Sequence, residues 1–341
     1  MNYKKFRDLK LSEIGIGTYL GNIDQETDQG YYQTIKKGVE LGINIVDTAI
    51  NYRNMRSEKV IGKVLSEIER DKVVVSTKGG YLTSDVDYKG DPNQWIREEL
   101  IETGILNPKD MTAYGNVLTP QYIDWAFNKS LSNLNTDNID VYFLHNPEDQ
   151  LTKFSREEFY KKLRTVFRLL EGKVQEGKLK YYGLATWSGF RVPPEHQQYL
   201  NLSEISQIAE EVGGEEHHFR FIQLPYNLGM LEAFKLKNQN VDGWPMSTLE
   251  AAQKLGIYTY ISATLFQGRV IRPTPPQIKQ LFKVEKDVHV PIQFVRSTPG
   301  VGTALIGMSK PEHLIENIEI ENYPYLTKEE LLNIIEPPQK G

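Results

Sequence analysis

Four side chains of different chemistry stand at or just beyond the ends of short apolar runs: Asp47, Tyr52, Lys78 and His145. Asp47 lies in Ile43-Asn44-Ile45-Val46-Asp47-Thr48-Ala49 and shares strand parity with Ile43 and Ile45. Alternate strand residues face the same side, so Asp47 should point into an interior where a lone carboxylate is costly. It needs a cation. Lys78 closes the next β-rich run, Lys72-Val73-Val74-Val75-Ser76-Thr77, and parallel neighbouring strands would bring its ammonium to Asp47. His145 follows Asp140-Val141-Tyr142-Phe143-Leu144, and Tyr52 follows the Asp47 strand directly.

Taken singly, each has an ordinary role: a satisfied core carboxylate, a strand-end lysine reaching water, a packed tyrosine, a hydrogen-bonded histidine. Together they suit proton transfer to an oxygen that gains negative charge. A free phenol, with a pKa of about 10, is a reluctant donor. A neighbouring ammonium is expected to lower that pKa, the carboxylate to keep the ammonium charged, and the imidazole to help hold the oxygen.

Such a group needs a scaffold that collects strand ends. Apolar β-rich runs at 13–17, 43–49, 72–77, 139–144, 180–184, 220–224, 257–262 and 303–306 alternate with helical patterns. Eight such units predict an α/β chain folded as a (β/α)8 TIM barrel, whose active sites lie at the C-terminal strand ends. Thr119-Pro120 reads as N-cap and first-turn proline, and Ser155-x-x-Glu158 and Ser309-x-x-Glu312 read as capping boxes. Gly42 and Gly256 sit where helices must stop. Outside the repeat, residues 3–11 suggest an N-terminal β-hairpin, and 327–335, with Thr327-x-x-Glu330, an added C-terminal helix. No linker divides the chain, so residues 1–341 are expected to form a single domain. Residues 79–117 are too long and polar for an ordinary strand-to-helix connection and are expected to be an active-site loop insertion.

Composition excludes several function classes. With no cysteine, disulfides, thiolate nucleophiles and cysteine-held zinc are absent. The six histidines show no metal spacing, and His217-His218 would face opposite ways on a strand, so no metal site is expected. A net charge of -5 gives no basic surface for nucleic acid or anionic membrane. Without a signal-like start or a long apolar run, a cytoplasmic protein acting on small molecules is expected. Gly15-Ile16-Gly17-Thr18-Tyr19-Leu20-Gly21 and Gly300-Val301-Gly302 lack the glycine spacing and following helix of a dinucleotide fingerprint.

Asp47-Thr48-Ala49-x-x-Tyr52 with Ser57-Glu58-x-x-Ile61-Gly62, Thr77-Lys78, Asp140-x-x-x-Leu144-His145 and Gly300-Val301 resembles, in order and spacing, the aldo-keto reductase family. The resemblance covers nearly the whole chain. It implies a nicotinamide-dependent oxidoreductase that reduces aldehydes or ketones to alcohols. Tyr52 is then the proton donor, Lys78 and Asp47 its supporting pair, and His145 the residue that orients the carbonyl. It also implies cofactor contacts from Thr18, Tyr19, Asp47, Thr186, Gln223, Leu265, Gln267, Gly268, Gly307, Ser309, Lys310, His313, Glu316 and Asn317. The family's Ser-Asn pair after the fifth strand is Ala185-Thr186 here, which shifts carboxamide binding toward Gln223. The aromatic that stacks on nicotinamide is Ser262, with Tyr260 a substitute of the same parity. Ser309 and Lys310 at a helix start suit a 2′-phosphate, so NADP(H) is expected over NAD(H), although His313 stands where some relatives carry arginine.

Two alternatives remain. Potassium-channel β subunits resemble the same family, so the chain could be a cofactor-binding regulatory subunit with little turnover. Lys78 could instead form a Schiff base in an isomerase or aldolase.

Overall fold

The computed structural model describes residues 1–336; residues 337–341, the end of the expected domain, lie outside the described residues. Two antiparallel strands open the chain, β1 (Tyr3–Phe6) and β2 (Leu9–Ser12). Then come β3 (Ile14–Gly17), β4 (Ile45–Asp47), β5 (Val74–Gly79), β6 (Ile139–His145), β7 (Leu179–Ala185) and β8 (Phe219–Pro225). A small antiparallel pair, β9 (Gln239–Val241) and β10 (Trp244–Met246), precedes β11 (Tyr258–Ser262) and β12 (Thr303–Gly307). Strands β3 to β8, β11 and β12 close into an eight-stranded parallel barrel with helices between them. This is the (β/α)8 arrangement expected from the sequence, with the N-terminal hairpin and the C-terminal helix, Lys328–Ile335, in place.

Strand alternation sorts the core into two layers. Ile45, Val74, Val141, Phe143, Phe221 and Tyr260 fill the barrel interior, while Val46, Val75, Tyr142, Leu144 and Ile222 pack outward against helices. The hairpin plugs the N-terminal end: Phe6 sits 5.4 Å from Phe221 and 5.2 Å from Tyr258, measured between ring centres. An apolar interior closed at one end leaves the opposite end for polar side chains. Asp47 and Lys78 share the inward parity of Ile45 and Val74 but stand at that far end.

The expected cap at Thr119-Pro120 and the boxes at Ser155/Glu158 and Thr327/Glu330 are formed. The box at Ser309/Glu312 is not. Helix Pro311–Ile318 begins one residue later, with Lys310 at the N-cap and no side-chain cap bond. Pro311 fixes the first helical turn and forces the preceding residue to be extended, which moves the start past Ser309. The run expected at 43–49 pairs only over Ile45–Asp47. Within 79–117, Asp91 caps a helix at Pro92–Ile96 that runs on through Ile101, burying Trp95 and Leu100. Among the described residues no helix is long and apolar enough to cross a membrane.

Candidate active site

Asp47, at the end of β4, is almost fully enclosed and has three side-chain partners. Lys78 Nζ donates to Oδ2 at 2.6 Å, while Ser76 Oγ and Gln223 Nε2 donate to Oδ1 at 2.6 and 3.0 Å. Lys78 makes its second bond to the Thr48 carbonyl, at 2.7 Å. The expected cation for the buried carboxylate is therefore present, and Gln223 joins it from across the barrel. Behind Lys78, the buried Glu58 accepts from Thr77 Oγ1 and Asn133 Nδ2, and burial raises its carboxyl above the usual range.

Tyr52 precedes three consecutive residues with left-handed backbone, Arg53, Asn54 and Met55. Such conformations are uncommon for side-chain-bearing residues and persist only where the surroundings fix them. Here Arg53 does so: Nε donates to the Asn22 carbonyl at 2.7 Å and Nη2 to Asp28 Oδ1 at 2.6 Å. The turn sets Tyr52 with Lys78 Nζ 4.9 Å from its ring centre and the His145 ring 5.7 Å away, edge to face. Burial first, then the negative charge of Asp47, pushes the phenol well above its ordinary pKa. This corrects the expectation that Lys78 would lower it. The ammonium is bonded to Asp47 and the Thr48 carbonyl, and in this arrangement burial and the Asp47 charge outweigh its pull on the phenol. Burial also lowers the Lys78 pKa, with Asp47 opposing.

His145 ends β6, packed edge to face against Tyr81 at 5.0 Å, and its Nδ1 has no hydrogen-bond partner. Burial, followed by the nearby Lys78 charge, holds the imidazole well below its usual pKa. It is neutral at ordinary pH.

These groups meet a cavity of about 1180 Å³ at the C-terminal strand ends. Asp47, Tyr52 and His145 line it; Lys78 lies beneath, reached through Asp47. Of the expected cofactor contacts, Thr18, Tyr19, Asp47, Thr186, Gln223, Leu265, Gln267, Gly268, Gly307, Ser309, His313, Glu316 and Asn317 line the same cavity. Lys310 is not among the lining residues and is exposed. Ser309 is seated by a close approach to helix Gln25–Glu40, where a Cβ on Gly30 would come 2.2 Å from the Ser309 carbonyl oxygen. Tyr260 also falls outside. It has the right parity but lies one inward-facing layer below Ser262, packed 5.8 Å from Phe143 and 5.6 Å from Phe221.

Sequence reasoning missed Asn51, Tyr81, Asn146, Trp187, Lys279 and Lys286, all of which line the cavity. The glycine pair before Tyr81 was the available signal for that residue. Gly80 has a φ of +144°, and a Cβ there would come 3.0 Å from the His145 carbonyl oxygen. Only glycine lets the chain turn that close and present Tyr81.

Comparison with known proteins agrees with this geometry. The aldo/keto reductase family profile matches residues 13–199. A Schizosaccharomyces pombe protein named as a voltage-gated potassium channel subunit beta is 24% identical, the alignment covering 96% of this chain and 90% of that protein. The NADH-specific methylglyoxal reductase of Escherichia coli is 28% identical over 59% of this chain and 55% of its own length. A Klebsiella pneumoniae aldo-keto reductase solved with NADPH superposes with a TM-score of 0.64 at 20% identity, covering 100% of this chain and 98% of that one, a likeness of fold. With more than half of its length matched by the family profile, the chain belongs to the aldo/keto reductase family of oxidoreductases.

Proposed function

We propose that this chain, acting as one barrel domain, reduces the carbonyl of a small aldehyde or ketone to an alcohol, using NADP(H) in preference to NAD(H). The observation that carries the reading is the meeting of Asp47, Lys78, Tyr52 and His145 at one wall of the cavity.

The cavity suits a dinucleotide together with a small carbonyl. Its volume exceeds the roughly 300–1,000 Å³ of sites for drug-sized ligands. Asn51 Oδ1 and Thr186 Oγ1 are buried without partners on residues that line it. Buried polar atoms are normally paired, so these are groups waiting for a ligand's amide or oxygen. Thr186 and Gln223 would hold the carboxamide, and Ser309, His313 and Asn317 the phosphate-bearing end. When bound, a reduced nicotinamide supplies the hydride.

The protein's own residues handle the proton and the charge. Tyr52 keeps its proton across the physiological range because its surroundings raise its pKa. An alkoxide is a far stronger base than a phenolate, so Tyr52 O–H can release that proton as the carbonyl oxygen becomes negative. The Lys78 charge, fixed beneath the ring, stabilises the phenolate left behind, and Asp47 keeps Lys78 in place. Neutral His145 can donate to the same oxygen from the other side.

The preference for NADP(H) is modest on this reading. Lys279 and Lys286 line the cavity, but each is already paired, with Asp287 and Glu319 respectively. The partial charge of the Pro311–Ile318 helix start and His313 are left to face a 2′-phosphate.

A cofactor-binding regulatory subunit is the competing reading, favoured by the resemblance to the channel subunit over nearly the whole chain. NADPH oxidation followed with aromatic aldehydes, methylglyoxal and aldoses separates the two. Multiple turnovers per protein support the reductase. Consumption that stops at one equivalent supports the regulatory role and overturns the proposal.

A further inference from the structure

Asp149 lies in the 3-10 turn Pro147–Thr152, four residues beyond His145, and its two carboxylate oxygens hold two different partners. Oδ2 accepts from the Tyr81 hydroxyl, which also accepts from Asn146 Nδ2 at 3.1 Å. Oδ1 accepts from Gln198 Nε2 at 2.9 Å, and Gln198 Oε1 in turn accepts from Ser188 Oγ at 2.9 Å. Ser188 follows Trp187, a cavity-lining residue that is 48% exposed. The neighbouring Glu148 fixes the main chain of the same turn, accepting at Oε1 from the backbone N–H groups of Trp187, Ser188 and Gly189 at 2.7, 2.9 and 3.2 Å.

This arrangement answers a question that His145 raises. A functional imidazole is usually oriented by a hydrogen bond at its second ring nitrogen, yet His145 Nδ1 has none. What touches the ring instead are two aromatic edges, Tyr52 at 5.7 Å and Tyr81 at 5.0 Å. Tyr52 is placed by its own turn. Tyr81 belongs to the 79–117 segment: its main chain bridges Asn116 and accepts from the Tyr122 hydroxyl at 2.6 Å, and the tip of its ring is held by Asp149 and Asn146. We propose that Asp149 is a positioning residue: it holds Tyr81 against His145 and, through Gln198 and Ser188, ties that wall to the turn carrying Trp187. Asp149 thereby fixes both the orientation of His145 and the width of the substrate mouth. A flat aromatic carbonyl, packed against Tyr81 and Trp187 with its oxygen at Tyr52 and His145, gains most from side chains held in fixed positions, because aromatic contacts are sensitive to geometry.

The proposal rests on the reading that a carbonyl substrate occupies this cavity, so its test carries one readout that needs no substrate. The ring-proton NMR resonances of His145 sense the Tyr81 ring current directly. They should shift in Asp149→Ala and stay near their wild-type positions in Asp149→Asn, which can still meet Tyr81 and Gln198. The second readout is the affinity of 2-naphthaldehyde for the NADP+-loaded protein, by calorimetry. Asp149→Ala and Tyr81→Phe should each weaken it about tenfold, the cost of losing one partly buried hydrogen bond to a carboxylate. The double variant should be no weaker than the weaker single, since both remove the same tether. NADP+ affinity should stay within about twofold. If Asp149→Ala does not fold, Tyr81→Phe and Asp149→Asn decide through the same two measurements. Unmoved His145 resonances in Asp149→Ala, wild-type naphthaldehyde affinity in Asp149→Ala or Tyr81→Phe, losses that multiply in the double variant, or no naphthaldehyde binding by the wild type would each overturn the proposal. Absence of turnover with every carbonyl, with the NMR shift intact, would instead overturn the reductase reading alone.

Discussion

Lys78 Nζ and Asp47 Oδ2 stand 2.6 Å apart, with the lysine side chain wholly enclosed and the aspartate nearly so. Removing one partner of such a pair leaves an uncompensated buried charge, typically at a cost of about 3–5 kcal/mol. Ser76 and Gln223 still donate to Asp47, which places Lys78→Met near the low end of that range. Urea unfolding at pH 7 measures it. A loss below about 1 kcal/mol would mean that the carboxylate does not need its cation.

The protonation states on either side of the carbonyl position predict a flat pH profile. Tyr52 is held well above its ordinary pKa and His145 well below its own. From about pH 6 to about pH 9, the phenol should remain protonated and the imidazole neutral. Reduction should therefore show no inflection in kcat/KM across that interval. Tyr52→Phe should bind NADPH like the wild type but turn over roughly 10²–10⁴-fold more slowly. An inflection near neutrality that disappears in His145→Asn would show that His145 titrates during the reaction.

The barrel was readable because each strand alternates cleanly: Ile45 and Asp47 inward, Val46 outward. The four site residues were readable because their types recur at strand ends, where this fold collects function. Three features were hidden for different physical reasons. The direction of the Tyr52 shift depends on a balance among burial, Asp47 and an already paired Lys78, which no spacing encodes. The start of the Pro311–Ile318 helix was misplaced because Ser309-x-x-Glu312 satisfies the capping pattern while Pro311 overrides it. Tyr81 and Asp149 are 68 residues apart and meet only because the 79–117 segment folds back over β6.

At the opposite end of the barrel, His217 predicts how stability responds to acid. Burial, and then the adjacent Arg220, lower its pKa to about 4. Arg220 Nη1 lies 3.1 Å from His217 Nε2, a contact that requires this nitrogen to be unprotonated. The unfolded chain, with an ordinary histidine pKa near 6.5, then binds the proton more readily than the folded one between about pH 6.5 and 4. The stability contributed by neutral His217 is present above that window and is lost as pH falls through it. Allowing for solvent screening, the loss should be on the order of 1–2 kcal/mol. Stability curves for wild type and His217→Gln at pH 7.5 and pH 4.5 test this. The variant should lose less stability on acidification, and parallel curves would exclude His217 as the source.

Cofactor preference can be traced to particular side chains because Lys310, the cation expected to meet the 2′-phosphate, is exposed and off the cavity wall. An exposed lysine is solvated and contributes little without a fixed contact, so Lys310→Ala should change NADPH affinity by less than about twofold. His313 lines the cavity itself, and as a neutral imidazole it offers a hydrogen bond, not a fixed charge. His313→Arg should therefore strengthen NADPH binding by about tenfold or more, because a guanidinium fork matches phosphate geometry bidentately. NADH affinity should barely move. That gain should shrink as salt is raised from 50 to about 500 mM, which marks it as charge-mediated. Fluorescence titrations with both cofactors across that salt series measure each quantity. A large loss of NADPH affinity in Lys310→Ala would show that the Lys310 ammonium itself meets the phosphate, while equal gains for NADPH and NADH in His313→Arg would place the new arginine on a part of the dinucleotide common to both.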